Sequence, residues 1–292
     1  MKRILILATN DPAYPDEALP AQVTVEHVLA EPSWDTSTAT MLTLARRTRS
    51  ALLEDFDGVV ITHGPDTVEE TAYLTDLLLG PAASQGAVIF TTTPNDLPAS
   101  LTAAAAPALQ GAGALVCAAT HLHAARYVTY TDATTPTGFS SSPHLHLAQI
   151  TQDRIDLLAP PPPPHPKTPP EPEPNVSLLK TYPGIDPALL TTLVDAGARG
   201  IVLEGTGQGN IPVTLFTTIS DLTAWDIPVV IASRSQTTTT PLDDLPYEIG
   251  LAAKVGAIGA RGLPPTKARI ALMAALGNGG GLTAAHSWFA TL

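Results

Sequence analysis

The stretch that decides the fold is Asp57-Gly-Val-Val-Ile-Thr-His-Gly-Pro-Asp-Thr-Val-Glu-Glu-Thr-Ala-Tyr73. It opens with a continuous apolar run of strand length, which is typical of a strand buried on both faces of a parallel sheet. A polar turn follows, and a helical pattern begins near Val68. Ligands bind at the carboxyl ends of strands in sheets of this kind, so the turn between strand and helix predicts a functional site.

Composition limits what the protein can be. The chain has 292 residues, 44% of them apolar, which is enough for a sizeable core and favours two domains. A net charge of −12 is unsuited to binding nucleic acid. Cys117 is the only cysteine, so a disulfide within the chain is excluded and a reducing cytoplasm is favoured. The apolar run after Met1-Lys-Arg is interpreted as a strand rather than a signal peptide, and no run is long enough for a membrane helix. We predict a soluble, cytoplasmic protein.

A proline-rich segment divides the chain. Residues 159–175 contain too many prolines for helix or sheet, which predicts an extended polyproline linker. The same composition also suits a ligand for a proline-recognising domain, and that alternative stays open. We therefore predict a first domain over residues 1–158 and a second domain over residues 176–292.

Short apolar runs alternate with helical patterns in both domains. In the first domain we predict strands at 4–8, 23–29, 58–62, 87–92 and 114–118 and helices at 38–53, 68–79 and 99–109. In the second we predict strands at 177–181, 200–203 and 228–232 and helices at 187–196, 212–225, 247–255 and 265–276. The alternation predicts an α/β fold with a mostly parallel sheet in the first domain and a smaller α/β unit in the second.

The opening stretch closely resembles the second signature of the bacterial-type L-asparaginases, in which a strand leads into a His-Gly-Thr-Asp-Thr turn. Four runs in the C-terminal half are similar to the same family and follow its order, at residues 178–190, 197–212, 228–234 and 263–269. The resemblance implies the two-domain asparaginase fold, with a larger, mostly parallel sheet domain and a smaller C-terminal α/β domain. Function does not follow from fold alone.

The residues that the resemblance marks as catalytic are replaced. The first Thr of the turn is Pro65, whose side chain neither donates nor accepts a proton. After the first strand the family has Thr-Gly-Gly-Thr-Ile, whereas this chain reads Ala8-Thr-Asn-Asp-Pro-Ala-Tyr14, which keeps Thr9 and has Pro12 in place of the nucleophilic Thr. The Lys of a Val-Thr-Lys stretch is Tyr130, and a neutral phenol cannot replace an ammonium group in a proton relay. Hydrolysis of L-asparagine in the family's manner is not expected.

Three residues that bind the substrate in the resembling family are retained. Ser33 matches the Ser that bonds an α-carboxylate, and Asp66 matches the acid that takes an α-ammonium group. Asn210 matches a residue that reaches in from a neighbouring subunit, and His63 is also kept. The resemblance therefore implies a small amino-acid-like ligand and self-association as a dimer or tetramer.

Each retained residue also has a purely local explanation. Asp66 can cap the helix that begins near Val68, and Ser33 can belong to the start of the next helix pattern. Asn210 follows Gly209, where Asn is common for hydrogen bonds within a turn. Their joint presence in one recognisable framework is what favours a binding site.

Three functions stay open. The first is an enzyme that acts on an amino-acid-derived or larger substrate with acid/base groups other than the family's, among them Asp11, Tyr14, Asp66 and Tyr130. The second is a non-catalytic binding or regulatory protein. The third is an amidohydrolase that recruits Thr9 or Thr67 as its nucleophile. The segment between Tyr14 and Val23 is too short for the family's lid, which predicts an open site and a bulkier ligand.

No cofactor and no metal site are predicted. The chain contains two His-x-His patterns, and histidines occur at positions 121, 123, 144, 146 and 165. Such histidines can bind zinc, but no carboxylate or thiol accompanies them in the pattern. We interpret them as alternating strand positions that face solvent.

Overall fold

The fold is taken from a computed structural model of the chain. It describes residues 2–9, 22–28, 31–135, 137–151, 154–169, 171–235, 242, 250–277 and 279–292. The chain divides into two compact units, Met1–Thr168 and Pro169–Leu292. The predicted catalytic residues Asp11 and Tyr14, and Pro12 with them, lie outside the described residues.

An eight-stranded sheet forms the centre of the first unit, with the spatial order β10-β9-β6-β5-β4-β3-β1-β2. Its strands are β1 Ile4–Ala8, β2 Val23–His27, β3 Gly58–Thr62, β4 Ala87–Thr91, β5 Ala114–Ala118, β6 His121–Ala124, β9 Ala148–Thr151 and β10 Arg154–Leu157. The helices are α1 Thr38–Leu53, α2 Val68–Leu79 and α3 Leu97–Ala104. Strands β1 to β5 pair in parallel, and β6, β9 and β10 extend the sheet antiparallel. A separate hairpin pairs β7 Thr129–Tyr130 with β8 Phe139–Ser140.

The central strands are buried on both faces, which explains their continuous apolar runs. One face carries Ile6, Val60, Ile89 and Leu115 and packs against α3. The opposite face carries Leu5, Val59, Val88 and Val116 and packs against α1 and α2. These two cores fix the carboxyl ends of β1, β3 and β4 at one edge of the sheet.

The second unit is a smaller α/β unit with a four-stranded parallel sheet, in the order β11-β12-β13-β14. Its strands are β11 Val176–Lys180, β12 Gly200–Gly205, β13 Val229–Ser233 and β14 Ile258–Gly259. Its helices are α4 Ala188–Asp195, α5 Phe216–Ala224, α6 Pro265–Leu276 and α7 Leu282–Phe289. The predicted fold class is thereby confirmed.

Several predicted elements differ from the observed ones. The predicted helix over 99–109 ends at Ala104 and is followed by a single 3-10 turn at Pro107–Leu109, because proline lacks the N–H that would continue the helix. The predicted helix over 247–255 is a 3-10 turn, Leu251–Val255, in its described part. The antiparallel strands after residue 120 were not predicted, since they are only two to four residues long.

The described part of the proline-rich segment has no regular secondary structure, and its first part packs on the first unit. Pro160 to Pro163 form one wall of a cavity of ≈ 260 Å³, whose other walls include Tyr127, His144 and Leu147. Among the described residues, no helix combines the length and the apolar character that crossing a bilayer requires.

Candidate functional site

The turn after β3 is held by main-chain geometry. The His63 N–H donates to the Thr91 carbonyl at 3.0 Å, which continues the pairing with β4. Gly64 is extended, as expected of a residue before proline, and Pro65 opens a single 3-10 turn over Pro65–Thr67. The first position of such a turn needs no N–H, so Pro65 fits there without loss of a hydrogen bond.

Ser33 and Asp66, the two predicted head-group ligands, lie in direct contact. Ser33 Oγ donates to Asp66 Oδ2 at 2.8 Å, and Thr67 Oγ1 donates to the Ser33 carbonyl at 2.6 Å. These bonds join the turn after β3 to a second 3-10 turn, Ser33–Asp35, which precedes α1. Ser33 is buried whereas Asp66 is exposed, so the carboxylate faces solvent from a fixed base.

The local explanations for Asp66 and Ser33 find no support in the hydrogen bonds. Neither the 3-10 turn nor α2 has a side-chain cap, and the only side-chain hydrogen bond of Asp66 with described residues is the one to Ser33. The N-cap of α1 is Ser37, whose Oγ accepts from the Thr40 N–H at 3.2 Å. The Asp66 carboxylate thus keeps acceptor positions open toward solvent.

The two threonines considered as substitute nucleophiles both serve the main chain. Thr9 Oγ1 donates to the Thr62 carbonyl at 2.7 Å, and the Thr9 N–H donates to Thr62 Oγ1 at 2.9 Å. Thr9 is 5% exposed, and these bonds join the ends of β1 and β3. The Thr67 hydroxyl donates a hydrogen bond to the Ser33 carbonyl. A peptide carbonyl is too weak a base to activate either hydroxyl.

Tyr130 connects the β7–β8 hairpin to the first turn of α2. Its N–H donates to Glu69 Oε1 at 2.8 Å, and Glu69 lies three residues after Asp66 in the sequence. Its hydroxyl donates to the Thr135 carbonyl at 3.3 Å, and its ring stacks on Phe139 with centroids 4.7 Å apart. The main chain of Tyr130 is therefore tied to the helix that begins at the site.

His63 is 2% exposed, and its Nδ1 lies 2.8 Å from the Gly64 carbonyl. The distance assigns the proton to Nδ1, because a carbonyl can only accept. The imidazole also meets the Phe90 ring edge to face, with centroids 6.1 Å apart. Both contacts hold the turn in shape.

Asn210 lies in the second unit, at the end of the loop after β12. The Thr206 and Asn210 main chains exchange two hydrogen bonds of 2.8 Å, which close a tight turn. Gly207 and Gly209 have φ of +53° and +115°, values that favour glycine. Asn210 Oδ1 accepts from the Gly250 N–H at 3.2 Å, so its side chain, which is exposed, bonds to a distant residue rather than within the turn.

Sequence reasoning missed two features of the site. Trp34, next to Ser33, is 71% exposed, and an aromatic residue within a polar turn was the available signal. The bond from Tyr130 to Glu69 had no signal, because it joins positions 61 residues apart through a main-chain N–H.

The histidines need one correction. Among the described residues, no group of three His, Cys, Asp or Glu side chains is placed to hold a metal ion. The interpretation that the histidines face solvent is wrong for His123, which is 6% exposed in β6. Strand alternation alone could not show that a loop covers this face.

Comparisons with known proteins match this architecture. Residues 12–163 match the asparaginase N-terminal family model, and residues 175–289 match that of the glutaminase/asparaginase C-terminal domain. L-asparaginase 2 of Escherichia coli is 32% identical over 270 residues, covering 88% of this chain and 76% of the relative. L-asparaginase 2 of Bacillus subtilis is 30% identical over 271 residues, covering 88% and 70%. A probable cytoplasmic L-asparaginase from Campylobacter jejuni has a solved structure with a TM-score of 0.86 at 24% identity, covering 100% of both chains, which shows the shared fold.

Proposed function

The chain belongs to the glutaminase/asparaginase family, and from that premise we propose that it binds an α-amino acid or a larger amino-acid-derived ligand through Ser33 and Asp66, without hydrolysing L-asparagine in the family's manner. The observation that carries the proposal is the 2.8 Å bond between the buried Ser33 hydroxyl and the exposed Asp66 carboxylate. Both residues lie where ligands gather in α/β sheets, beyond the carboxyl end of β3.

The chemistry of this pair suits an amino-acid head group. An ammonium group can bond to the open acceptor positions of Asp66, and a hydrogen bond between charged groups is about twice as strong as a neutral one. The Ser33 hydroxyl, which donates to Asp66 in the structure, can donate to an α-carboxylate instead when an ammonium group takes its place on Asp66. Glu69 and Glu70 in the first turn of α2 add negative charge that attracts a cation.

The reacting groups support the second part of the proposal. Position 65 is a proline in the turn, and the hydroxyls of Thr9 and Thr67 donate hydrogen bonds to main-chain carbonyls. Catalysis on the bound ligand would have to use other acid/base groups, of which Asp66 and Tyr130 are described. The main-chain link from Tyr130 to Glu69 keeps Tyr130 near the first turn of α2, and a non-catalytic binding or regulatory role remains the alternative.

A second candidate is an amidohydrolase that uses Thr9 or Thr67. The names of the relatives, which are L-asparaginases, favour it. It requires that the chosen hydroxyl leave its carbonyl partner and meet a base when substrate binds. Steady release of ammonia from L-asparagine or L-glutamine at an ordinary enzyme rate, about 1 to 1,000 per second, would establish it and overturn the main proposal.

The main proposal is tested by ligand binding. Of the three tryptophans, at positions 34, 225 and 288, only Trp34 belongs to the first unit, and it adjoins Ser33. Amino acids, their amides and conjugates are titrated while fluorescence and the unfolding temperature are followed. A true ligand changes the fluorescence of the wild type and produces no such change in Trp34→Phe. It still raises the unfolding temperature of that variant by mass action. If no compound with a free α-amino group does so, the head-group model fails.

A further inference from the structure

Three histidines cluster on one side of the first unit, apart from the head-group pair. His121 and His123 alternate along β6, and His146 lies two residues before β9. The His121 and His146 rings meet edge to face with centroids 4.5 Å apart. His123 completes the cluster at 5.9 Å from His146 and 6.5 Å from His121.

The cluster contains a buried nitrogen without a partner. His146 Nε2 is shielded from solvent and has no hydrogen-bond partner among the described residues. A buried polar atom without a partner destabilises the folded state, and a buried charge does so more strongly. His123 is anchored differently, because its Nδ1 lies 2.8 Å from Ser141 Oγ. The arrangement therefore tolerates neutral imidazoles and disfavours a proton on His146.

A continuous series of contacts leads from the cluster to the head-group site. Ser141, the partner of His123, directly follows β8, and β8 pairs with β7 through Tyr130 and Phe139. The Tyr130 N–H is bound to Glu69 in the first turn of α2, which follows the turn that carries Asp66. The β7–β8 hairpin is thus held at one side by His123, through Ser141, and at the other by Glu69.

We propose that His121, His123 and His146 form an acid-sensitive anchor of the β7–β8 hairpin, so that proton uptake by the cluster loosens the bond between Tyr130 and Glu69 beside the ligand site. The direction follows from burial and from like charge. Burial, and then the neighbouring His121, lower the pKa of His146 below its ordinary value. The folded chain binds fewer protons here than the unfolded chain, whose His titrates near pH ~6.5. The stabilising effect is therefore present above that pH and is lost as the pH falls below it.

The other charged and titratable groups around the cluster do not offset this cost. His144 stacks on Tyr127 with centroids 3.8 Å apart, and the Arg126 guanidinium lies 5.9 Å from the same ring. Arg126 is a cation and cannot stabilise a second positive charge. Gln149 in β9 lies opposite His121 in β6 and opposite Asp156 in β10. The Asp156 carboxylate already forms a salt bridge of 2.9 Å with Arg154.

The first test compares unfolding temperatures of the full chain between about pH 7.5 and about pH 5.5. The unfolding temperature of the wild type is expected to fall on this acid shift. In His146→Gln, whose side chain cannot take up a proton, the fall should be smaller by about 2 °C or more. His121→Gln removes the like charge and should act in the same direction. The control is His27→Gln on the exposed strand β2, which should follow the wild type. Parallel profiles for the wild type and His146→Gln would overturn the proposal.

The second test follows the hairpin itself. Hydrogen exchange at the Tyr130 amide, corrected for the intrinsic effect of pH, should lose protection by about threefold or more on the same acid shift in the wild type and not in His146→Gln. Unchanged protection at Tyr130 in the wild type would refute the link to the site. If His146→Gln does not fold, nuclear magnetic resonance titration of the wild type decides instead, and the proposal fails if every imidazole titrates at or above the ordinary value.

Discussion

At the scale of single residues, the proposed function makes the exposed Asp66 carboxylate the group that binds the ligand's ammonium group. We expect Asp66→Asn to weaken the binding of an α-amino ligand by about 1.5–3 kcal/mol, or roughly tenfold or more, because the amide cannot neutralise an ammonium group. Stability should change much less than ligand affinity, since the Ser33 hydroxyl can still donate to the Asn oxygen, although that bond lacks the charge of the carboxylate. Calorimetric titration of a ligand found in the screen measures the difference.

The matched control is Asp35→Asn, in the same 3-10 turn as Ser33. Asp35 is exposed and makes no side-chain hydrogen bond with the described residues, so this variant removes the same charge nearby without touching the pair. Its ligand affinity should equal that of the wild type. Equal losses in both variants would mean that only the general negative charge attracts the ligand, and equal affinities in all three proteins would refute the role of Asp66.

Pro65 is the residue to which the proposed function assigns the loss of the family's hydrolysis. We expect Pro65→Thr alone to leave L-asparagine hydrolysis undetectable, because a hydroxyl needs a base to activate it. The family's Lys would supply that base, and Tyr130 stands at its position. The Pro65→Thr, Tyr130→Lys double variant is the informative companion. Ammonia release by the single variant at an ordinary enzyme rate would show that a base is already present.

The proximity of site residues could be predicted from the sequence only where a motif carried it. Ser33 and Asp66 were paired through the resemblance, and they lie in contact. The bonds from Thr9 to Thr62 were beyond reach, because a hydroxyl's choice between a ligand and a carbonyl depends on how two strand ends are aligned.

At the scale of elements, β3 determines where the turn lies, and its first residue leaves no room for a side chain. A Cβ at Gly58 would overlap the Ala104 carbonyl at the end of α3. We expect Gly58→Ala to lower the free energy of unfolding by about 3 kcal/mol, since main-chain atoms cannot yield as a flexible side chain does. Urea unfolding followed by far-ultraviolet circular dichroism measures this loss.

Gly111→Ala is the comparison for that variant. Gly111 has a φ of +81° and meets nothing within 4 Å, so an alanine there pays only for backbone strain, about 1 kcal/mol. A smaller loss in Gly58→Ala than in Gly111→Ala would show that α3 moves away freely and that β3 is not fixed by this contact.

The sequence predicted elements well where periodicity was strong. Strands β1, β3 and β5 are found at the predicted bounds, because each is an apolar run buried on both faces. The antiparallel extension was not predicted, since strands of two to four residues rely on tertiary pairing rather than on a pattern of their own. The absence of helix and strand in the described part of the proline-rich segment agrees with its composition, but its packing on Tyr127 and His144 depends on the fold.

At the scale of the whole molecule, we predict association into at least a dimer. The resemblance suggests it through Asn210, and the surface of the first unit supports it, since Trp34, Leu145 and Leu157 are 71%, 66% and 54% exposed. An interface would remove this apolar surface from water. The net charge of −12 opposes contact between copies, and that repulsion is screened by salt.

Association should therefore strengthen with ionic strength rather than weaken. Light scattering at micromolar concentration should give a mass of at least two chains at about 0.3 M salt, where the Debye length is shorter than about 8 Å. The mass should fall or stay equal at low salt, because apolar contacts persist while repulsion grows. A single chain at both salt concentrations would rule out the oligomer, and with it any site that needs Asn210 from a second copy. Binding at Ser33 and Asp66 would then belong to one chain alone.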